Sequence, residues 1–88
     1  MLEIRSTDKF ESDLKRMTRA GNDPELFWAV VDMLANEEKI PKEFRDHELQ
    51  GEWAGVRDIH VEPDWLLLYK ISPPYLILIS TGTHTELF

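Results

Sequence analysis

Three histidines and one aspartate are the residues best suited to chemistry. His47, His60 and His84 all lie in the second half of the chain, and Asp64 follows His60 by four residues. Imidazole has an unperturbed pKa of about 6.5, so it gives and takes protons near neutral pH. Two positioned imidazoles, or an imidazole and a carboxylate, can run general acid–base catalysis. Cleavage of RNA beside a 2′-hydroxyl needs little more. A base takes the 2′-OH proton, an acid protonates the leaving 5′-oxygen, and a cation steadies the phosphorane charge. The nucleophile belongs to the RNA, so no metal-activated water is required. A catalytic zinc held by His47, His60 and His84 is the rival arrangement. Their spacings of 13 and 24 residues match no short ligand motif.

The same residues have blander readings. A histidine is often half-exposed or hydrogen-bonded in a core. Asp64 follows Pro63 and suits a turn. Trp28, Trp53 and Trp65 are of the type that fills cores. Phe88, at the chain end, reads as an apolar tail.

Elements must bring these distant side chains together. Leu2 to Arg5 is short and mixed, as in an edge strand. Thr7 or Asp8 can cap a helix whose apolar face is Phe10, Leu14 and Met17, ending at Gly21-Asn22. Asp23-Pro24-Glu25 starts a second helix, with Leu26, Phe27, Val30, Met33 and Leu34 as its buried stripe and an end near Asn36 or Glu38. Trp53 to Val61, Trp65 to Ile71 and Tyr75 to Ser80 read as strands broken at Pro63-Asp64 and Ser72-Pro73-Pro74. The runs Trp65 to Tyr69 and Tyr75 to Ile79 are apolar on both faces. One face can take the helix hairpin. The other is then left for a ligand or a wrapping partner.

The totals indicate one α+β domain over residues 1–88, with enough apolar content (42%) to fold. No cysteine is present, which removes disulfides and thiolate chemistry. No apolar run approaches the roughly 20 residues of a membrane span. The charged start MLEIRSTDKF does not read as a signal peptide, which fits a cytoplasmic protein. Net charge is −7. Up to Asp46 there are 8 Lys and Arg against 11 Asp and Glu; after it, 2 against 6. Charge alone argues against tight binding to free RNA.

The stretch DHELQGEWAGVRDIHVEPDWLLLYK (Asp46 to Lys70) and the tail TGTHTELF (Thr81 to Phe88) closely resemble YafQ-type toxins of the RelE superfamily. Together they cover over a third of the chain. The resemblance implies a RelE-like α+β fold: an N-terminal strand and two-helix hairpin packed on an antiparallel sheet of about four strands. It implies ribosome-dependent cleavage of messenger RNA in the A site without a metal or other cofactor, leaving a 2′,3′-cyclic phosphate. It also implies a DinJ- or RelB-like antitoxin bound in a complex. On the matching positions the active-site set is His47, His60, Asp64, His84 and Phe88. His84 is the acid, and Asp64 or His47 is the base. Arg57 offsets phosphate charge, and Trp65 and Phe88 pack on the nucleotide. Such toxins commonly carry an arginine where this chain has Ser80. That difference and the acidic charge keep a second reading open, a non-catalytic ParE-like toxin that binds gyrase or another protein.

Overall fold

The computed structural model describes residues 1–88. After β1 (Glu3–Ser6), the Thr7 hydroxyl accepts from the Phe10 N–H and caps α1 (Asp8–Arg19). Asp8 and Glu11 in its first turn, and Arg16 and Arg19 in its last, oppose the helix dipole favourably. Gly21, at φ 97°, turns the chain. The Asp23 carboxylate then accepts from the Glu25 N–H, and Pro24 opens α2 (Pro24–Ala35). The buried stripe of α2 is Phe27, Val30, Val31, Leu34 and Ala35; Leu26 and Met33 are only half-buried.

Four strands follow: β2 (His47–Glu48), β3 (Arg57–Glu62), β4 (Trp65–Ser72) and β5 (Tyr75–Gly82). A four-residue helix, α3 (His84–Leu87), ends the fold. The sheet order is β1-β5-β4-β3-β2, with β1 parallel to β5 and the other pairs antiparallel. This is the expected α+β architecture with five strands instead of about four, since the two-residue β2 adds one. The strand expected from Trp53 begins only at Arg57, because Gly51–Trp53 forms a 3₁₀ turn.

The core lies between the helices and one face of the sheet. Trp65 stacks on Phe27 at 5.4 Å, and Phe27 lies 5.6 Å from Phe10. Trp65 Nε1–H donates to Thr81 Oγ1 at 2.8 Å, so its polar atom is satisfied inside. Each such buried ring contributes about 2–3 kcal/mol by removing apolar area from water.

Two features shape the second face. The register passes from Leu68↔Ser80 to Tyr69↔Leu78, a bulge that leaves Ile79 unmatched. Leu76 and Leu78 therefore face the core, while Ser80 and Gly82 share the second face with Leu66 and Leu68. Leu66 and Leu68 are themselves fully buried. The expectation of an open apolar sheet face is thus corrected: the chain covers these leucines itself.

β1 stops opposite Leu78, leaving the end of β5 without a strand neighbour on the side away from β4. α1 supplies substitutes. The Thr7 hydroxyl donates to Ile79 O at 2.6 Å, Arg16 donates to Thr81 O at 3.3 Å, and Thr81 N–H donates to Asp13 at 3.3 Å. Asp13 is a buried charge. It also accepts from Lys9 (2.8 Å), Arg16 (2.9 Å) and the Ser80 hydroxyl (2.6 Å). Burial alone would raise its pKa, but the bonds from Lys9, Ser80, Arg16 and Thr81 outweigh that and bring it to about 2.

Candidate active site

Strand alternation sorts the residues of β3. Ile59 and Val61 point into the core, so Asp58 and His60 point to the opposite face. β2 pairs with β3 so that His47 stands directly opposite Asp58. Asp58 is 3% exposed, and its two oxygens face two imidazoles. Oδ1 is 3.7 Å from His60 Nδ1, and Oδ2 is 3.9 Å from His47 Nε2. Both distances are too long for hydrogen bonds. Asp58 Oδ1 and His60 Nδ1 are buried without any partner in the protein. Burial pushes the Asp58 carboxyl up, against the pull of His60, His47, His84 and Arg45.

His47 is held by its other nitrogen. Nδ1 lies 2.8 Å from Arg45 O. A carbonyl only accepts, so Nδ1 carries the hydrogen and neutral His47 presents a free lone pair at Nε2. That carbonyl is placed by an unusual backbone: Arg45 is left-handed, at φ 51° and ψ 41°. A non-glycine residue in this region costs about 1 kcal/mol or more, and such strain concentrates at functional sites.

His84 arrives from the chain end on α3. Thr83 and Glu86 close a capping box, with Glu86 accepting from the Thr83 N–H at 2.8 Å. Asp64 accepts from the His84 N–H at 3.1 Å, and Arg16 donates to Glu86 at 3.0 Å. The Gly82 Cα lies so close to this latch that a Cβ there would meet Glu86 Oε1 at 3.0 Å and the Arg16 guanidinium at 3.1 Å. The His84 ring packs on Phe88 at 5.3 Å, and Phe88 meets Trp53 edge-on at 6.4 Å. The result is one open cleft of about 580 Å³, lined by Arg45, His47, Leu49, Asp58, His60, Pro63, His84 and Phe88. It offers three imidazoles, one buried carboxyl, one permanent cation and an aromatic wall.

The family described as "Bacterial toxin of type II toxin-antitoxin system, YafQ" matches residues 2–88 of this chain. The chain belongs to the YafQ family of toxins. It is 37% identical over 87 residues to the mRNA interferase toxin YafQ of Escherichia coli K12, covering 98% of this chain and 95% of that one. Two solved structures share the whole fold. A copper-bound mutant toxin from Helicobacter pylori has a TM-score of 0.96 at 33% identity, with both chains fully covered. The toxin in an E. coli DinJ–YafQ complex has a TM-score of 0.92 at 36% identity, covering 100% of this chain and 99% of that one.

Within this YafQ fold, four of the residues expected at the site meet in the cleft: His47, His60, His84 and Phe88. Asp64 does not line it. Its carboxylate is exposed beyond the rim and binds the backbone of α3. Two expectations are corrected. Arg57 faces the other side of the sheet, in phase with Ile59, and donates to Asp46 at 3.2 and 3.3 Å and to the Tyr69 hydroxyl at 3.3 Å. Trp65, at 1% exposure, lies in the core against Phe27 and has no face for a nucleotide.

The rival zinc triad is not assembled. No three His, Asp or Glu side chains of this YafQ-family chain converge as metal ligands would. Two cleft residues escaped the sequence reading. Asp58 was legible in principle, since it sits two residues before His60 and shares its face of the strand. Arg45 carried no such signal, because its backbone conformation follows from the turn that Lys42–Phe44 forms. Ser80, where the resemblance puts an arginine, is buried and bonded to Asp13, and the cation lining the cleft is Arg45.

Proposed function

We propose that this chain is the toxin of a type II toxin–antitoxin system and an endoribonuclease that cuts messenger RNA in the ribosomal A site. Family membership and the mRNA interferase relatives support the substrate. The observation that carries the chemistry is the gathering of His47, His60, His84 and Arg45 around one cleft. A scissile phosphate seated there meets an acid and a base lining the same cleft. His47 is the base: its Nδ1–H is fixed by Arg45 O, leaving Nε2 to take the 2′-OH proton. His84 is the acid that protonates the leaving 5′-oxygen. His60 and Arg45 stabilise the charge that develops on the phosphorane. The product is a 2′,3′-cyclic phosphate. The route needs no metal-bound water, because the RNA supplies the nucleophile.

Asp64 acts as a positioning residue for His84, through the α3 backbone. Phe88 holds the His84 ring and packs on a nucleotide. A DinJ-type antitoxin binds and silences the toxin, in line with the relative solved in complex with DinJ.

A translation extract with a reporter messenger RNA tests the proposal. Purified, antitoxin-free protein cuts the message with chelator present, and His84→Ala lowers the rate on the order of a hundredfold or more. Growth inhibition that persists in the His84→Ala variant, with no cut RNA from the parent, would favour the non-catalytic reading.

A further inference from the structure

The segment that carries His47 has little of its own to hold it. β2 is two residues long, and the His47 side chain is 53% exposed. The ring has one hydrogen bond, from Nδ1 to Arg45 O. That carbonyl belongs to the planar peptide unit joining Arg45 to Asp46. Whatever fixes Asp46 therefore also fixes the acceptor that orients the ring.

Asp46 is held from the far side of the sheet. Neighbours in an extended segment point to opposite faces, and Asp46 turns away from the cleft to share a hollow with Arg57 and Tyr69. The Tyr69 hydroxyl donates to Asp46 Oδ1 at 2.5 Å. Arg57 adds longer bonds, 3.3 Å to Oδ1 and 3.2 Å to Oδ2. A hydroxyl bonded to a carboxylate at the shorter distance makes the stronger contact. Tyr69 is also the more rigid donor, at 1% exposure in the core, whereas the Arg57 side chain is 34% exposed. Burial and the bond to Asp46 push the Tyr69 hydroxyl well up, so it keeps the proton that it donates.

We propose that Asp46, pinned by the Tyr69 hydroxyl, is a positioning residue that sets the tautomer of His47 through the sheet. The carboxylate touches no substrate. It fixes the peptide unit whose carbonyl holds the hydrogen on Nδ1, and so keeps the lone pair on Nε2. An unrestrained imidazole favours the hydrogen on Nε2, where it blocks the atom that must take the 2′-OH proton. The bond made by one ring nitrogen decides what the other can do. This inference rests on the reading of His47 as the base. Arg57 is dispensable to it, because Tyr69 alone keeps Asp46 in place.

Two-bond nitrogen–proton NMR spectra at a pH of about 8, where imidazole is neutral, read the tautomer directly. A translation extract reads cleavage. The His47 signals are assigned by their loss in His47→Ala, and each variant is measured below its melting temperature. The parent holds His47 with its hydrogen on Nδ1. Asp46→Ala moves that hydrogen largely to Nε2, leaves the tautomers of His60 and His84 as they are, and slows cleavage about tenfold or more. Asp46→Asn rescues both readouts, because its amide oxygen still accepts from Tyr69. Arg57→Ala keeps both. The double variant Arg57→Ala/Tyr69→Phe removes both donors and repeats the Asp46→Ala result with Asp46 still present. An unchanged His47 tautomer in Asp46→Ala and in the double variant overturns the proposal, even if cleavage slows. A tautomer lost equally in Arg57→Ala overturns the part given to Tyr69. A parent that cuts no message removes the nuclease reading, while the tautomer shift still upholds the clamp on His47.

Discussion

Asp58 Oδ1 faces His60 Nδ1 across 3.7 Å, and each is buried without a hydrogen-bond partner. A polar pair left this way costs folding free energy, about 1–3 kcal/mol for each unsatisfied group. Such a pair is informative because packing alone does not call for it. The carboxylate faces both His60 and His47, and on the proposed mechanism it would hold positive charge in the cleft when one imidazole is protonated.

Asp58→Asn tests that role by separating stability from activity. The folded-state pKa of Asp58 is raised, so the folded protein holds a proton that the unfolded chain has already released. Stability therefore falls as pH rises from the unfolded value through the folded one, and stays lower at neutral pH. The uncharged amide lacks that penalty. Thermal melts at pH 7 should show Asp58→Asn at least as stable as the parent, while cleavage slows and its pH profile changes shape. A variant that melts lower, or cuts with an unaltered profile, would show that the carboxylate is only structural.

Asp64 separates positioning from proton transfer. Asp64→Asn keeps an oxygen able to accept the His84 N–H bond, whereas Asp64→Ala does not. Cleavage should largely survive in the amide variant and fall about tenfold in the alanine variant, in line with the roughly 1 kcal/mol of a lost helix cap. Equal, complete loss in both would return Asp64 to the role of base.

Arg57 contributes to stability and not to chemistry. It holds Asp46 and the Tyr69 hydroxyl on the face away from the cleft, and the hydrogen bond to Asp46 raises its own pKa. Arg57→Ala should lower stability by about 1–2 kcal/mol in denaturant titration, because it removes the cation from Asp46 and leaves the Tyr69 hydroxyl as its donor. Activity per folded molecule should stay within a few-fold of the parent.

Asp13 sets the acid limit of the fold. Its pKa is depressed from the usual 3.8 to about 2. Its contribution is therefore fully present above the unfolded value and is lost as pH falls from about 4 to about 2, at roughly 2 kcal/mol in all. Melts across that range should show a steep drop in the parent and a shallower one in Asp13→Asn. Parallel curves would place the acid sensitivity elsewhere.

Local signals made the helices readable. Thr7, Asp23 and Pro24 fix where α1 and α2 begin because capping depends on a few adjacent residues. The long strands announced themselves by apolar content. The segment Trp53–Val56 did not, because Gly51 and Gly55 take positive φ and turn strand-like residues into a coil. β2 is two residues long, too short for any periodic pattern. At the site, histidine type and family resemblance led to His47, His60 and His84. Which face of β3 a residue occupies decided the rest: Arg57 and Asp58 are neighbours in sequence and lie on opposite sides of the sheet. Alternation about Ile59 and Val61 fixes those faces wherever the strand starts, and the resemblance set Arg57 beside the histidines regardless.

The element that delivers His84 is one turn at the end of the chain, fastened by the Thr83–Glu86 box, Asp64 and Arg16. So few anchors can release without disturbing the core, since local opening needs far less free energy than global unfolding. Gentle heating or mild denaturant should therefore release this turn, and the His84 it carries, while the sheet stays intact. A bulky group attached beside Phe88 acts on the same latch, so this turn is the wrong place by which to hold the molecule.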